Sequence, residues 1–273
     1  MVALFVTLFS CQGLTYENKP PKVIVSTDIG GDDPDDYQSL VHFLVYADRF
    51  EIAGIISSPP SAGRKANIDE VLDAYKTDYS NLQKHSTRFP SAESLFQVAK
   101  QGAVDVQPDR IPQALSDGAQ WIIDKAREDD GEPIYILVWG SITDVAQAVH
   151  HAPDIKKNIR VYSIGSWNTR QDPKARDYLY KHHPDLWWIE NDTTFREMYM
   201  GGIQEDDYNN RTFVEKHVRD HGALGNLFWE KKKDIKMGDT PSVLYLLIGN
   251  PEDPEGESWG GAFLKTEHGE HYW

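Results

Sequence analysis

Residues 22–40, KVIVSTDIGGDDPDDYQSL, constrain this chain more than any other stretch. Val23, Ile24 and Val25 read as a buried strand, and five carboxylates, Asp28, Asp32, Asp33, Asp35 and Asp36, follow within nine positions. Carboxylates this close repel one another strongly unless a cation is held among them. Gly30 and Gly31 allow the backbone to bend tightly around such an ion. Asp33 stands where a helix N-cap belongs and Pro34 where a first helical residue belongs. Tyr37, Leu40, Val41 and Leu44 then recur at helical spacing. The acidic loop is therefore expected at the C-terminal end of a strand and the N-terminus of a helix. Asp35 and Asp36 read as acids of that helix's first turn, placed favourably against its dipole.

The same alternation continues along the chain. Strands are expected at 51–57, 133–140, 159–165 and from Leu186, with helices at 67–82, 111–127 and 143–149 between them. This order predicts an α/β fold: an open, mainly parallel sheet flanked by helices on both faces, joined by right-handed crossovers. Ligands of such sheets gather at the C-terminal ends of the strands. Farther on the pattern is less regular, with helical stretches at 193–198 and 213–220 and a last apolar helix from Pro241, capped by Asp239 or Thr240. No break in composition divides the chain, so residues 21–273 read as one domain behind an N-terminal segment, 1–20.

A hydrophobic content of 40% with eight Trp and thirteen Tyr describes a folded chain. Its formal net charge of -15 argues against nucleic acid polymers and anionic membranes as partners, because both require clustered Lys and Arg. The opening MVALFVTLFSCQG resembles the end of a bacterial lipoprotein signal with Cys11 at the lipidation position, which predicts export to the periplasm or a lipid anchor. Cys11 is the single cysteine, so no intramolecular disulfide can form. No other apolar stretch reaches the length of a membrane span. Whether the chain is a homo-oligomer stays open at this point.

Three readings of the acidic loop fail on its own residues. A helix-loop-helix calcium site needs a Glu at the twelfth position, and the twelfth residue from Asp28 is Ser39. A haloacid-type phosphatase needs an acid where Ser26 stands, and a phosphate-cradling loop needs a Lys after its glycines. The string instead resembles the signature of the calcium-dependent nucleoside hydrolase superfamily, D-x-D-x-G-x-D-D, with Asp28, Gly30, Asp32 and Asp33 on its last four fixed positions. ILVWGSITDVAQAV resembles that family's G-P-L-T-N-[IL]-A segment, GSWNTRQDPKA its E-x-N and D-P, and KMGDTPSVLYLL its late metal-binding Asp at a helix start.

The resemblance implies a Ca²⁺ held by Asp28, a two-oxygen Asp33, the Thr143 carbonyl and Asp239. It further implies that Asp28 is the general base toward a water activated by the ion, and that Asp32 and Asn168 hold sugar hydroxyls. Trp167 joins them as a ring for a base or sugar to stack on; at least one of the adjacent Trp187 and Trp188 reads as core. The departures are Ser26 for the family's first Asp, Ser166 for its Glu and Gly238 for the His before the metal Asp, with Arg64 near an expected sugar-binding Asn. They look more like the divergent branch described as nucleoside hydrolase-like or cellulose-binding. Two functions follow: a calcium-dependent hydrolase of an N-ribosyl or related glycosidic bond, acting on a small sugar or nucleoside, or a carbohydrate-binding domain on the same scaffold that holds polysaccharide without turnover.

Overall fold

The structure, a computed structural model, describes residues 19–31, 33–61, 64–128, 131–199 and 201–273. The leader-like segment with Cys11 lies outside the described residues, and so does Asp32. Six parallel strands form one sheet in the order β3-β2-β1-β4-β5-β6. They are β1 (Lys22–Thr27), β2 (Glu51–Ser57), β3 (Ala99–Gln101), β4 (Ile134–Val138), β5 (Ile159–Ile164) and β6 (Trp188–Asn191). The expected α/β architecture is the observed one. β1 lies between β2 and β4, where the strand order reverses, and at such a switch point the connections leave in opposite directions and open a crevice beyond the strand ends.

Strand period 2 sends alternate residues to two apolar layers. Val23, Val25, Leu137 and Trp139 enter a core completed by α1 (Asp35–Val45), α2 (Lys65–His85), α3 (Ala92–Val98), α9 (Gly222–Lys231) and α10 (Thr240–Leu247). Ile24, Ile136 and Val138 enter the other, covered by α4 (Asp117–Ala126), α5 (Thr143–His151) and α7 (Pro173–His182). Burial on both faces is why these strands read as continuous apolar runs rather than alternating ones. Among the described residues, no helix is long and apolar enough to cross a membrane.

Several boundaries differ from expectation for local reasons. α1 begins at Asp35 rather than Pro34, and Asp33 Oδ1 accepts from the Asp35 amide at 3.4 Å. α4 starts six residues later than residue 111, because Ser116 caps it by accepting from the Ala119 amide. α3 and β3 carried no sequence signal: three residues are too few for periodicity to register. α6 (Trp167–Gln171) and α7 were hidden by polar composition, yet Asp172 caps α7 ahead of Pro173. α8 (Asn210–His217) starts three residues before the expected stretch, behind the Asn209 cap.

Packing also buries a titratable group inside α1. Desolvation pushes the His42 imidazole down to about 4, and its Nδ1 is buried without a partner. A His whose folded pKa is depressed contributes stability that is fully present above about pH 6.5 and is lost as pH falls toward 4. The shift corresponds to at most about 3 kcal/mol, reduced by the ring's residual exposure. His42→Phe is expected to flatten the decline in stability between pH 6.5 and 4 relative to the parent chain, as read by urea unfolding at fixed salt. Parallel curves for the two proteins would contradict this account.

Candidate functional site

The site forms where β1 ends. Thr27, the last residue of β1, donates its hydroxyl to Asp36 and accepts from the Ile29 amide at 3.2 Å, so the strand end and the first turn of α1 are tied through one side chain. The Asp28 and Asp36 carboxyls lie within hydrogen-bonding reach of each other. Carboxylate oxygens of Asp35, Asp36 and Asp239 all lie within 4.8 Å of one another. Asp36 and Asp239 are 3% and 2% exposed. A chain separation of about two hundred residues is closed here by packing.

Two anchors deliver Asp239. Gln38 of α1 is fully buried and donates to the carbonyls of Phe228, Lys232 and Asp234 while accepting from the Lys236 amide, which fastens the α9–α10 connection across α1. At the start of α10, Ser242 Oγ receives the Trp139 indole N–H at 2.8 Å and donates to the Asp239 carbonyl at 2.7 Å. Asp239 N reaches Ser39 Oγ at 3.3 Å. The Asp28 side chain is packed against Gly140, just past β4: a Cβ there would stand 2.6 Å from Asp28 Cγ and 2.9 Å from Ser58 Oγ. Only glycine lets the β4 end come this close to the acid.

The electrostatics follow from burial. Desolvation first, and then repulsion from neighbouring carboxylates, hold Asp36 and Asp239 well above the ordinary carboxylate range. Asp28 is raised by burial too, partly offset by its hydrogen bond with Asp36 and by Arg64. Asp35 is pushed up to about 7, by burial and then by Asp33. Arg64, 8% exposed, donates to the Asp28 carbonyl. Buried polar atoms without partners gather at this end of the sheet: Ser26 Oγ, Ser57 Oγ, Ser58 Oγ, Arg64 Nε, Asp239 Oδ2 and Thr240 Oγ1. Buried polar atoms are nearly always satisfied, so such a group of orphans marks a place for water, an ion or ligand hydroxyls.

Asp28 and Asp239, both expected as metal ligands, are close enough for Asp28 to raise the pKa of Asp239, and the acids packed against Asp239 are not the expected ones. Asp33, expected as a two-oxygen metal ligand, turns its Oδ2 to Lys236 and is half exposed. Asp35 and Asp36, read from sequence as dipole-stabilising acids, are the ones that face Asp239. A dipole role alone leaves such acids in solvent, whereas Asp36 is buried. The available signal was the Asp-Asp pair directly at the helix start, obscured by a second Asp-Asp pair three residues earlier.

Thr143, expected as a carbonyl ligand, is the fully buried first residue of α5, and its hydroxyl belongs to a neighbouring web. Its Oγ1 donates to Asp172 Oδ2 at 2.6 Å and accepts from the Gln107 amide at 3.0 Å, while Ser141 also reaches Asp172. Asn168 spends its Nδ2 on the carbonyls of Trp139, 2.7 Å, and Ile164, 3.1 Å, which binds the ends of β4 and β5 together. Trp167 is 64% exposed, with the Arg170 guanidinium 5.5 Å from its ring. Ser166 holds it there from a left-handed backbone, φ 57°, fixed by the Asp192 carboxylate on the Ser166 amide at 2.7 Å. Strain of this kind in a non-glycine residue persists only where its surroundings impose it. Trp187 and Trp188 are both core.

Comparison with known proteins places the family and the fold. Residues 22–263 match the family model described as "Cellulose-binding Sde182, nucleoside hydrolase-like domain". A nucleoside hydrolase-related hypothetical protein from Saccharophagus degradans, associated with carbohydrate metabolism, is 30% identical over 90% of this chain, with a TM-score of 0.77. The chain spans 60% of that protein's length. At the level of fold, the inosine-uridine preferring nucleoside hydrolase from Bacillus anthracis aligns with 92% of each chain at a TM-score of 0.57 and 15% identity. A plant nucleoside hydrolase, PpNRh1, aligns with 86% of this chain and 80% of its own at 0.55 and 15%. No curated protein matches. With a parallel sheet whose switch point gathers buried carboxylates, and a family match over nearly its whole length, the chain belongs to the nucleoside hydrolase-like domain family of cellulose-binding Sde182.

Proposed function

We propose that the chain is a divalent-cation-dependent hydrolase of a glycosidic bond, with Asp28 as its general base. The observation that carries this reading is Asp239: a carboxylate 2% exposed, its Oδ2 without a partner, within 4.8 Å of the Asp35 and Asp36 carboxylates. Hard oxygen donors with no sulfur or nitrogen among them fit a cation such as Ca²⁺. Asp36 and Asp239 would hold it with Asp28, and Asp35 completes the group. Such an ion, when bound, lowers the pKa of water and takes up sugar hydroxyls as ligands.

The chain's own groups then divide the work. Asp28 takes the proton of the attacking water, held in place by Gly140 behind it and by Arg64 on its carbonyl. Asn168 uses its amide hydrogens on backbone carbonyls, so its carbonyl oxygen is the atom left to accept from a sugar hydroxyl. Trp167 offers a ring face at the same strand ends. The leaving-group side departs from the nucleoside pattern. A Cβ on Gly238 would lie 2.7 Å from Asp35 Oδ2, so the space beside residue 238 is held by a carboxyl on α1.

That last feature also favours the second reading, in which the same acids and ion organise a sugar diol without turnover, in keeping with the cellulose-binding description of the family. Chelator-sensitive sugar release from nucleosides or aryl glycosides separates the two. Asp28→Asn should lower turnover by roughly 10²-fold or more with the fold intact, the scale of a lost general base; full activity in that variant removes Asp28 from the role.

Ligand assignment has its own readout. Titration calorimetry with Ca²⁺ should show Asp36→Asn and Asp239→Asn weakening uptake by roughly 100-fold, about 3 kcal/mol, while Asp33→Asn changes it by less than about threefold. Equal losses in all three would return Asp33 to the ligand set. Gly140→Ala should displace Asp28 and reduce cation affinity at a stability cost of roughly 1–3 kcal/mol. Unchanged calcium binding in a folded Gly140→Ala protein would count against the close packing described above.

A further inference from the structure

Resting on the glycosidic reading, we infer a second carbohydrate subsite: the cavity between the loop 203–208 and α8, which takes neutral sugar residues of a glycan chain beyond the unit held at the acidic cluster. The cavity measures about 570 Å³ and is lined by Ile203, Glu205, Asp206, Tyr208, Phe213 and His217. Its apolar members are unusually open for large side chains, with Tyr208 69%, Ile203 66% and Phe213 38% exposed. Rings and aliphatic surface cover the C–H faces of a sugar, and carboxylates accept from its hydroxyls.

A relay of contacts links the loop beside the cavity to the flank of the acidic cluster. Lys236, paired with Asp33, lies 5.8 Å from the centre of the Tyr199 ring, and the Met237 amide reaches the Met198 carbonyl at 3.4 Å. Asn210, first residue of α8, donates to the Tyr199 carbonyl at 3.3 Å, and its amide is received by Gln204 Oε1 at 3.2 Å. The loop is therefore stitched to α8 at one end and to the flank of the site at the other. α8 carries Phe213 and His217 one and two turns beyond Asn210.

Charge selects among glycans. Glu205 and Asp206 face the cavity with Asp207, whose carboxylate is taken by Lys216; among the described residues no Lys or Arg lines the space, and His217 is its one basic group. Uronate-containing or sulfated chains would meet repulsion there on a protein of net charge -15.

Calorimetry with glucose, cellobiose, cellotetraose and cellohexaose, in saturating Ca²⁺, tests the inference. Affinity should rise along the series, and Tyr208→Ala and Phe213→Ala should each remove about tenfold from the longest ligand while leaving calcium uptake and glucose binding as in the parent. Tyr208 is exposed enough that its truncation spares the fold, which circular dichroism checks. A rise that survives in both variants, no rise at all, or equal affinity for an oligogalacturonate overturns the subsite. The hydrolase reading fails separately, through absence of sugar release with the chain-length dependence intact.

Discussion

Mutual repulsion among buried carboxylates is the constraint on which the rest of this structure depends. Asp28, Asp36 and Asp239 would each be pushed from their charged form by burial alone; Asp28 and Asp239 raise Asp36 further, and Asp28 raises Asp239. A fold that accepts this cost must hold the acids by other means. It does so with apolar packing behind β1, with the Gln38 clamp on the α9–α10 connection, and with the Trp139–Ser242 contact at the start of α10. The acids are paid for by the core around them.

Beside this cluster runs a second polar web, richer in hydrogen bonds. Asp172 gathers Ser141, Thr143 and the Gln107 amide while capping α7, and Asp144 receives Ser116 and the Ala103 amide. Burial holds Asp144 up at about 6 even with these donors. These residues fix the N-terminus of α5 and the loops after β3 and β4, so the floor of the crevice does not depend on the occupant. Orphaned atoms remain here as well, at Asp144 Oδ2 and Gln107 Oε1, so both webs have room for further donors.

Likeness to nucleoside hydrolases is a likeness of fold, and the ends of the strands carry this chain's own side chains. Asp35 occupies the room beside Gly238, Ser166 stands strained next to an exposed Trp167, and Lys236 neutralises Asp33 at the rim. Each of these is a local departure within a retained sheet, consistent with a family whose description names a polysaccharide.

Much of this was legible in the sequence. Apolar runs of Val, Ile and Leu separated by amphipathic stretches determine a parallel α/β sheet, because strands buried on both faces need no alternation. Asp28 after a strand and Asp239 before Pro241 were singled out by their resemblance to a family's motifs, and both stand at the element ends expected for them. Local pattern could not choose between the two Asp-Asp pairs at 32–33 and 35–36, which have the same composition and lie three residues apart. Only the tertiary structure decided that, by starting α1 at Asp35 so that Asp36 turns into the core and Asp33 out toward Lys236. The choice rests on which carboxylate meets α10 across two hundred residues of chain, and sequence spacing holds no record of that contact.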